Sequence, residues 1–510
     1  MISISETILS RLSESIAINM GLHFPKDRWR DLERGMDSVY KEFGFQSVEP
    51  CIEWMLSSSL TKKQIEILAN HLTVGETYFF RDIKSYEVLE NHILTELIHY
   101  RRGTDKRLRI WSAACCTGEE PYSIAILLSK MIPDVKDWNI TILATDLNNN
   151  YLKKASEGVY TQWSFREAPS WIRESYFKKT KEDKYEILPH IKKMVSFSYL
   201  NLVEGTYPSL SNNTNAMDII FCRNVLMYFL PEQAEQVIQK LCHSLLYGGW
   251  LILSPSETSF AQHSQFVTVN YPGVTLHRKE RRGYRTIEDI IPKDTPFYWK
   301  QEEEAVPYTT HRERVNESEQ KITLMKKPRD SILAEGDKQK TEEPEQNSYS
   351  KAMELYEQGR FAEAVEKLID LYPENQKDTK LIVLLARAYA NQGKLNDSLK
   401  WCNKAIVLEK MNPGLHYLRA IILNEQGLIE EAVLSLKRVL YLDHNFVLAH
   451  FILGNLSKQQ GKIKEANKHF KNALSLLQRY AKEDILPESE GIAAGRLSEI
   501  IAAKTEELHE

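Results

Sequence analysis

Apolar residues spaced three and four apart predict that the chain begins with an all-α domain, residues 1–75. Ile16 and Met20 fall on one face of a first helix, and Leu32 and Met36 fall on one face of a second. Two shorter helices are predicted over residues 48–58 and 61–72. This stretch is therefore predicted to be an N-terminal helical domain.

After residue 105 the pattern changes to short apolar runs, rich in β-branched residues, that alternate with helical segments. The runs are Leu108–Ser112, Ile140–Thr145, Met194–Leu200, Asp218–Cys222 and Leu251–Ser254. Strands that alternate with helices predict a parallel sheet covered on both faces. Two closing runs, residues 266–270 and 274–277, are split by a Tyr-Pro-Gly turn and predict a hairpin at the sheet edge. An insert over residues 176–200 is predicted to form a small antiparallel β-subdomain.

A glycine recurs every 34 residues in the last third of the chain, at Gly359, Gly393, Gly427 and Gly461. Seven positions before each glycine stands a small residue: Ala352, Ala386, Ala420 and Gly454. Small residues let paired helices cross closely, and a glycine makes the turn between them. The spacing resembles four tetratricopeptide repeats over residues 345–480, followed by a capping helix within 481–510. Such arrays bind proteins or peptides, so we expect a partner of that kind on the repeats.

Residues 281–344 are polar, charged and nearly free of periodic apolar positions. Such a segment cannot bury enough apolar surface to offset its chain entropy. It is predicted to be a flexible linker between the sheet domain and the repeats.

The composition is that of an ordinary globular protein of 510 residues, with 42% hydrophobic and 27% charged residues. A net charge of −4 provides no basic field for nucleic acid, and no apolar run is long enough for membrane insertion. The six cysteines form no CxxC pair, and no cysteine–histidine cluster predicts a metal site. These features, with a start unlike a secretory signal, predict a reduced, cytoplasmic protein.

The candidate chemistry follows the predicted strands. Small residues 112–118 lead into a helix that opens with Glu119 and Glu120, an arrangement that lets a ligand lie against the backbone. Two acidic residues there favour a ligand with hydroxyls, an amine or a cationic centre over a pyrophosphate. The alternative is a capped turn whose carboxylates only interact with the helix dipole. Asp146 ends the second strand, where it can accept hydrogen bonds from ribose hydroxyls; the alternative is that it caps the next helix, and the two roles are compatible.

Arg223, Asn224 and Tyr228 follow the fourth main strand of the predicted sheet. Open α/β sheets bind ligands beyond the carboxyl ends of their strands. An arginine and an asparagine directly after a buried strand are unfavourable unless they have partners. For Tyr228 the alternative is core packing of the following helix.

Four motifs together resemble the CheR-type chemotaxis methyltransferases. They are GETYFFRD (75–82), SAACCTGEEPYSIA (112–125), ATDLNNNYLKKASEGVY (144–160) and DIIFCRNVLMYF (218–229). The resemblance covers residues 1–280 and implies a Rossmann-like S-adenosylmethionine methyltransferase domain over residues 76–280. It implies methyl transfer from S-adenosylmethionine to glutamate side chains of chemoreceptors, with the receptors' cytoplasmic helices as partners. The repeats would then recruit a partner or regulate the enzyme.

The resemblance also implies roles for particular residues. Arg81 and Tyr228 would face the reacting centre, Arg81 orienting the incoming carboxylate and Tyr228 lying against the sulfonium. The implied cofactor-binding residues are Thr77, Arg81, Glu120, Asp146, Asn201, Leu202, Arg223 and Asn224. For Arg81 the alternative is a surface ion pair with Asp82 or Glu87. Gly75 departs from the pattern, because better-known members carry an asparagine there.

Two other functions fit parts of the sequence. A scaffold that senses S-adenosylmethionine without turnover would act through its repeats. A nicotinamide oxidoreductase is disfavoured because the glycine fingerprint of dinucleotide sites is missing.

Overall fold

The computed structural model describes residues 4–261, 265–280 and 345–506. The segment 281–344, predicted to be a linker, lies outside the described residues. In the part of the chain that is described, no helix is both long and apolar enough to cross a membrane. The same residues contain no group of three or more histidine, cysteine or acidic side chains arranged to hold a metal ion.

The chain begins with four helices around one apolar core. They are α1 (Glu6–Met20), α2 (Trp29–Val39), α3 (Val48–Leu56) and α4 (Lys62–Leu72). Leu12, Ile16, Leu32 and Met36 are fully buried at the centre, as their spacing predicts. Thr61 caps α4 with its side chain.

A seven-stranded sheet forms the centre of the next domain. Its strands are β1 (Arg107–Ala113), β2 (Asn139–Asp146), β6 (Val195–Tyr199), β7 (Met217–Cys222), β8 (Leu245–Ile252), β9 (Phe266–Tyr271) and β10 (Val274–Lys279). Three short strands lie between β2 and β6 in the chain and form a separate sheet: β3 (Val159–Tyr160), β4 (Phe177–Lys179) and β5 (Tyr185–Ile187). The spatial order is β6-β2-β1-β7-β8-β10-β9. The first five of these are parallel to their neighbours, and the last two form the predicted hairpin. The chain reverses its direction of winding between β1 and β7, where open sheets form a ligand crevice.

Seven further helices belong to this domain: α5 (Ile83–Val88), α6 (Leu94–Arg102), α7 (Glu119–Met131), α8 (Asn149–Glu157), α9 (Ser170–Tyr176), α10 (Pro189–Lys192) and α11 (Pro231–Ser244). Every residue of β1 and β7 is buried, as expected for central strands covered on both faces. The predicted fold class of a mostly parallel sheet with a small antiparallel sheet is confirmed.

The small sheet differs from its predicted extent of residues 176–200. Its order is β3-β5-β4, so it begins with Val159–Tyr160, before the predicted range. Val195–Tyr199, inside that range, pairs with β2 and belongs to the main sheet. A strand of two residues is too short to produce an alternating pattern, and this hid β3 from the sequence.

Eight helices follow in four antiparallel pairs. They are α12 (Glu345–Glu357), α13 (Phe361–Leu371), α14 (Thr379–Asn391), α15 (Leu395–Leu408), α16 (Pro413–Glu425), α17 (Ile429–Leu442), α18 (Val447–Gln459) and α19 (Ile463–Leu477); a last helix, α20 (Ala494–Glu506), packs on α19. The four glycines at 34-residue spacing have φ between 70° and 78°, the left-handed turn for which they were predicted. At Gly454 a Cβ would lie 2.4 Å from the ring of Phe470, so only glycine permits this helix crossing.

The repeats lie at the amino ends of the central strands. The side-chain amide of Asn139, which starts β2, donates to the carbonyl of Glu425 at 2.8 Å. Arg107, which starts β1, forms an ion pair with the Glu425 carboxylate at 3.6 Å. A Cβ at Gly393 would lie 3.0 Å from Leu246, near the start of β8. The repeats therefore do not cover the opposite edge of the sheet, where the strands have their carboxyl ends and the N-terminal helices lie.

Helix α20 returns to the part of the chain that precedes the repeats. Arg496 donates to Glu66 of α4 at 3.0 Å, and its guanidinium lies 3.6 Å from the ring centre of Tyr199. Tyr199 ends β6 and is the register partner of Asp146.

Candidate functional site

A cleft of about 940 Å³, its open mouth included, lies at the carboxyl ends of β1, β2, β6 and β7. All nine predicted site residues line it: Thr77, Arg81, Glu120, Asp146, Asn201, Leu202, Arg223, Asn224 and Tyr228. Met20 and Leu22, from the end of α1 and the turn after it, close one side. The individual roles of these side chains stay predictions.

The loop after β1 brings backbone close to the cleft. Ala114 and Cys116 have positive φ values of 62° and 51°, and Gly118 has a φ of 94°. A Cβ at Gly118 would lie 2.8 Å from the Cβ of Ala155, so a side chain there would push α7 away from α8. Left-handed residues other than glycine are unfavourable and concentrate at functional sites. This loop is shaped for a ligand at the start of α7.

The carboxylate of Asp146 holds two loops together. One oxygen accepts from the backbone N–H of Cys116 and the other from that of Asn148, each at 2.8 Å. The predicted alternative, that Asp146 caps the next helix, is wrong, because the side chain of Asn148 caps α8. Each carboxylate oxygen of Asp146 keeps a further lone pair for a ligand hydroxyl.

The two acidic residues that open α7 face different ways. Glu120 lines the cleft and accepts from the Ser112 hydroxyl at 2.8 Å. Burial raises its pKa, and the nearby Arg223 guanidinium opposes that rise. Glu119 accepts instead from the hydroxyls of Thr117 and Ser164, at 2.7 and 3.0 Å. Only Glu120 is therefore available to a ligand.

Arg223 has one unsatisfied donor at the cleft. Its two terminal nitrogens donate to the carbonyl of Arg81 at 2.9 Å and to the carboxylate of Asp82 at 3.3 Å. Its Nε, although buried, has no acceptor among the described residues. A buried N–H without a partner costs about 1–3 kcal/mol, which a bound carboxylate would recover.

Among the described residues Arg81 does not form the surface ion pair that was its predicted alternative, whereas Tyr228 lines the cleft and also packs against the core that includes α11. The Arg81 guanidinium donates to the carbonyl of Glu76 at 2.7 Å, while Asp82 pairs with Arg223. Tyr228 is half-buried at the cleft wall, and the guanidinium of Arg28 lies 5.4 Å from its ring centre.

The presence of glycine rather than asparagine at position 75 is explained by a neighbouring side chain in the cleft. A Cβ at this position would lie 2.7 Å from the hydroxyl of Tyr151, which donates to the carbonyl of Thr73 at 3.1 Å. Tyr151 itself lines the cleft. A tyrosine ring therefore occupies the space that an asparagine side chain at residue 75 would need.

Glu257 is a residue of the site that the sequence did not indicate. Its fully buried carboxylate accepts from the backbone N–H groups of Asn224 and Val225 at 2.7 and 2.8 Å, and from that of Met227 at 3.2 Å. It also accepts from the hydroxyl of Ser254. The carboxylate thus fixes the loop that carries Asn224 and Tyr228. The one signal in the sequence is an acidic residue shortly after the fifth main strand.

We expect Glu257→Gln to lower kcat/KM about tenfold, since an amide group turns donors toward some of the loop N–H groups that the carboxylate accepts from. Steady-state kinetics of the methyl transfer that the resemblance implies measure this. Glu354→Gln, on the exposed face of α12, is the control and should change kcat/KM less than twofold. Wild-type kinetics for Glu257→Gln would contradict this positioning role.

Burial raises the pKa of Asp146 to about 6. Because the ionised carboxylate is the better acceptor for ligand hydroxyls, we expect affinity for S-adenosylhomocysteine, the product form of the cofactor that the resemblance implies, to fall about tenfold from pH 7 to pH 5. Equilibrium dialysis at both pH values tests this. The same comparison with Asp146→Asn should show a smaller fall, and Glu120→Gln should keep most of the wild-type fall. A wild-type affinity that does not change with pH would contradict the assignment.

Comparisons with known proteins agree with this geometry. Residues 75–274 match the family model described as CheR methyltransferase, SAM binding domain. The chemotaxis protein methyltransferase of Borreliella burgdorferi is 31% identical over 259 residues, which cover 50% of this chain and 90% of that protein. The chemotaxis protein methyltransferase 2 of Vibrio cholerae is 32% identical over 221 residues, covering 43% of this chain and 75% of that protein.

Among solved structures, MamA 41-end from Desulfovibrio magneticus RS-1 is similar to 27% of this chain and 78% of its own, with 14% identity and a TM-score of 0.26. The assignment of the repeats is based on the four helix pairs described above and not on this similarity.

The fold and the sequence matches define an S-adenosylmethionine-dependent methyltransferase. More narrowly, the chain belongs to the CheR family of chemotaxis protein methyltransferases. It therefore uses S-adenosylmethionine as methyl donor, and its methylation serves chemotaxis.

Proposed function

We propose that the protein methylates glutamate side chains of chemoreceptors, in the cytoplasm. The observation that supports this most is the division of charge in the cleft. Glu120 and Asp146 lie toward the strand tips, and Arg81 lies on the segment that joins the two domains. The first two suit a cationic nucleoside, and an arginine suits a carboxylate.

The residues present fit S-adenosylmethionine. The ribose hydroxyls would donate to Asp146, the amino group to Glu120, and the carboxylate would accept from the free Nε of Arg223. Leu202 and Asn201 would lie beside the adenosine. When bound, the cofactor supplies a methyl group made electrophilic by the sulfonium.

The acceptor needs positioning rather than deprotonation. A glutamate side chain has a pKa near ~4.3 and is ionised at neutral pH, so no general base is required. Arg81 has donors beyond the one given to Glu76, and these would orient the incoming carboxylate. Met20 and Leu22 exclude water from one side of the reacting centre. The ring of Tyr228 would stabilise the positive charge at the transferred methyl group.

A second, smaller cavity marks the side from which the receptor would approach. It shares Leu22, Val74 and Tyr228 with the cleft and is also lined by Arg28. Arg28 pairs with Asp31 at 3.4 Å, so part of the charge on α2 is already neutralised within the helix. We infer that receptor helices contact this face and insert a glutamate past Tyr228.

Mass spectrometry of receptor-containing membranes, after incubation with the protein and S-adenosylmethionine, tests the proposal. We expect base-labile methyl esters on receptor glutamates, and none with Asp146→Asn at the same cofactor concentration. Cofactor binding without any methyl ester would overturn the proposal and favour the sensing scaffold.

A further inference from the structure

The segment between α19 and α20 folds against the repeats as a short turn. The N–H of Leu486 donates to the carbonyl of Ile492 at 3.0 Å, and Leu486 is buried in the core of the repeats. The turn carries the sequence Glu-Ser-Glu at residues 488–490. It reaches Arg387 of α14 and the first turn of α16, where a Cβ at Gly414 would lie 2.9 Å from a carboxylate oxygen of the turn. It therefore lies across the first helices of successive pairs.

One guanidinium holds both carboxylates of this turn. Arg387 donates from one terminal nitrogen to Glu488 at 2.6 Å and from the other to Glu490 at 2.5 Å. The arginine side chain is only 17% exposed, so the contact is largely shielded from water. The face of the repeats thus recognises two carboxylates spaced two residues apart.

The other side of the turn contacts the methyltransferase domain. The second oxygen of Glu490 accepts from the hydroxyl of Ser209 at 2.6 Å and from the N–H of Leu210 at 3.0 Å. The hydroxyl of Ser211 donates to the carbonyl of Ser489 at 2.8 Å. The loop 209–211 precedes β7, so the turn lies between the repeats and the catalytic half.

The turn is held in an unfavourable backbone conformation. Glu488 has a φ of 60° and Glu490 a φ of 53°. Side chains other than glycine disfavour this left-handed region. The ion pairs to Arg387 therefore offset strain in the turn, and an unstrained acidic segment would bind Arg387 without that cost.

We propose that the first-helix face of the repeats is a binding site for acidic peptides, and that residues 488–490 occupy it as an internal ligand. The external ligand is a partner segment with two carboxylates two residues apart, which displaces the turn. Apolar side chains of similar volume would stabilise a purely structural contact at least as well as this buried ion pair. Charged contacts instead give selectivity between ligands. This proposal does not depend on chemoreceptors being the methyl acceptors.

The test uses the full-length protein and a fluorescein-labelled peptide, ILPESEGIA, which copies residues 485–493. We expect wild type to bind it weakly, because the tethered turn competes at a high effective concentration. We expect E488Q/E490Q to bind it at least tenfold more tightly in fluorescence anisotropy, and the further change R387Q to abolish that binding. The matched peptide ILPQSQGIA should not bind.

E488Q alone provides a second test, because it leaves the contacts of Glu490 with the loop 209–211 in place. It should bind the acidic peptide about threefold more tightly than wild type. The proposal is overturned if folded E488Q and E488Q/E490Q bind no better than wild type, or if both peptides bind equally. Cofactor affinity measured on the same samples reports separately on the methyltransferase site.

Discussion

Asp146→Asn should weaken binding of S-adenosylmethionine about 100-fold. The carboxylate accepts from the N–H groups of Cys116 and Asn148, and an amide can accept from only one of them. The variant therefore loses a charged acceptor for the ribose and leaves one loop N–H facing another donor. A hydrogen bond to a charged group contributes about 1.5–3 kcal/mol, and about 3 kcal/mol corresponds to roughly 100-fold in affinity. Isothermal titration calorimetry measures the change.

Glu119→Gln is the matched control for Asp146→Asn. Glu119 is a buried carboxylate of the same loop region, but it is bonded to Thr117 and Ser164 and does not line the cleft. We expect this variant to bind the cofactor within about threefold of wild type. If both variants lost affinity equally, a general disturbance of the loop would explain the result and the ribose contact would be refuted.

Glu425→Leu should destabilise the protein by about 3–5 kcal/mol. The side chains of Arg107 and Glu425 are only 4% and 3% exposed, so the variant leaves the Arg107 charge buried without its partner. Burial also lowers the pKa of Arg109 to about 10, and the charge of Glu425 opposes that effect. Urea unfolding followed by tryptophan fluorescence measures the loss.

The double variant Arg107→Met/Glu425→Leu separates the loss of the pair from the loss of packing. It removes both charges, so we expect it to recover most of the stability lost by Glu425→Leu. The atoms that form the ion pair, Arg107 Nη2 and Glu425 Oε2, make no hydrogen bond, and this also indicates that the pair adds little net stability. If the double variant were as unstable as Glu425→Leu, the loss of stability would come from disturbed packing at this contact and not from the unpaired charge of Arg107.

Much of the fold follows from local pattern. The alternation of short apolar runs and helices defines the sheet, and the order of its strands brings their carboxyl ends together. Polar residues at the end of a strand or just after it, such as Asp146 and Arg223, were therefore predictable as neighbours in space. The glycine period likewise predicts the repeat turns, because each glycine is required by its own backbone angle.

The rest depends on partners that lie far away in sequence. Glu257 acts on a loop about 30 residues before it, and nothing near it in the chain indicates that contact. Arg107 and Arg109 are buried in a strand whose pattern is largely apolar, because the partners of their side chains, Glu425 and Asn213, come from other elements. The same holds for the turn at Arg387, whose carboxylates come from about 100 residues later.

The contact of α20 with Tyr199 has a consequence for any shortened form of the protein. Removing the C-terminal region would also strip a cation from the ring that ends β6, next to the strand carrying Asp146. Loss of cofactor affinity after such a truncation would then report a weakened pocket wall, not a missing recruitment signal. Internal deletions that retain the final helix avoid this ambiguity.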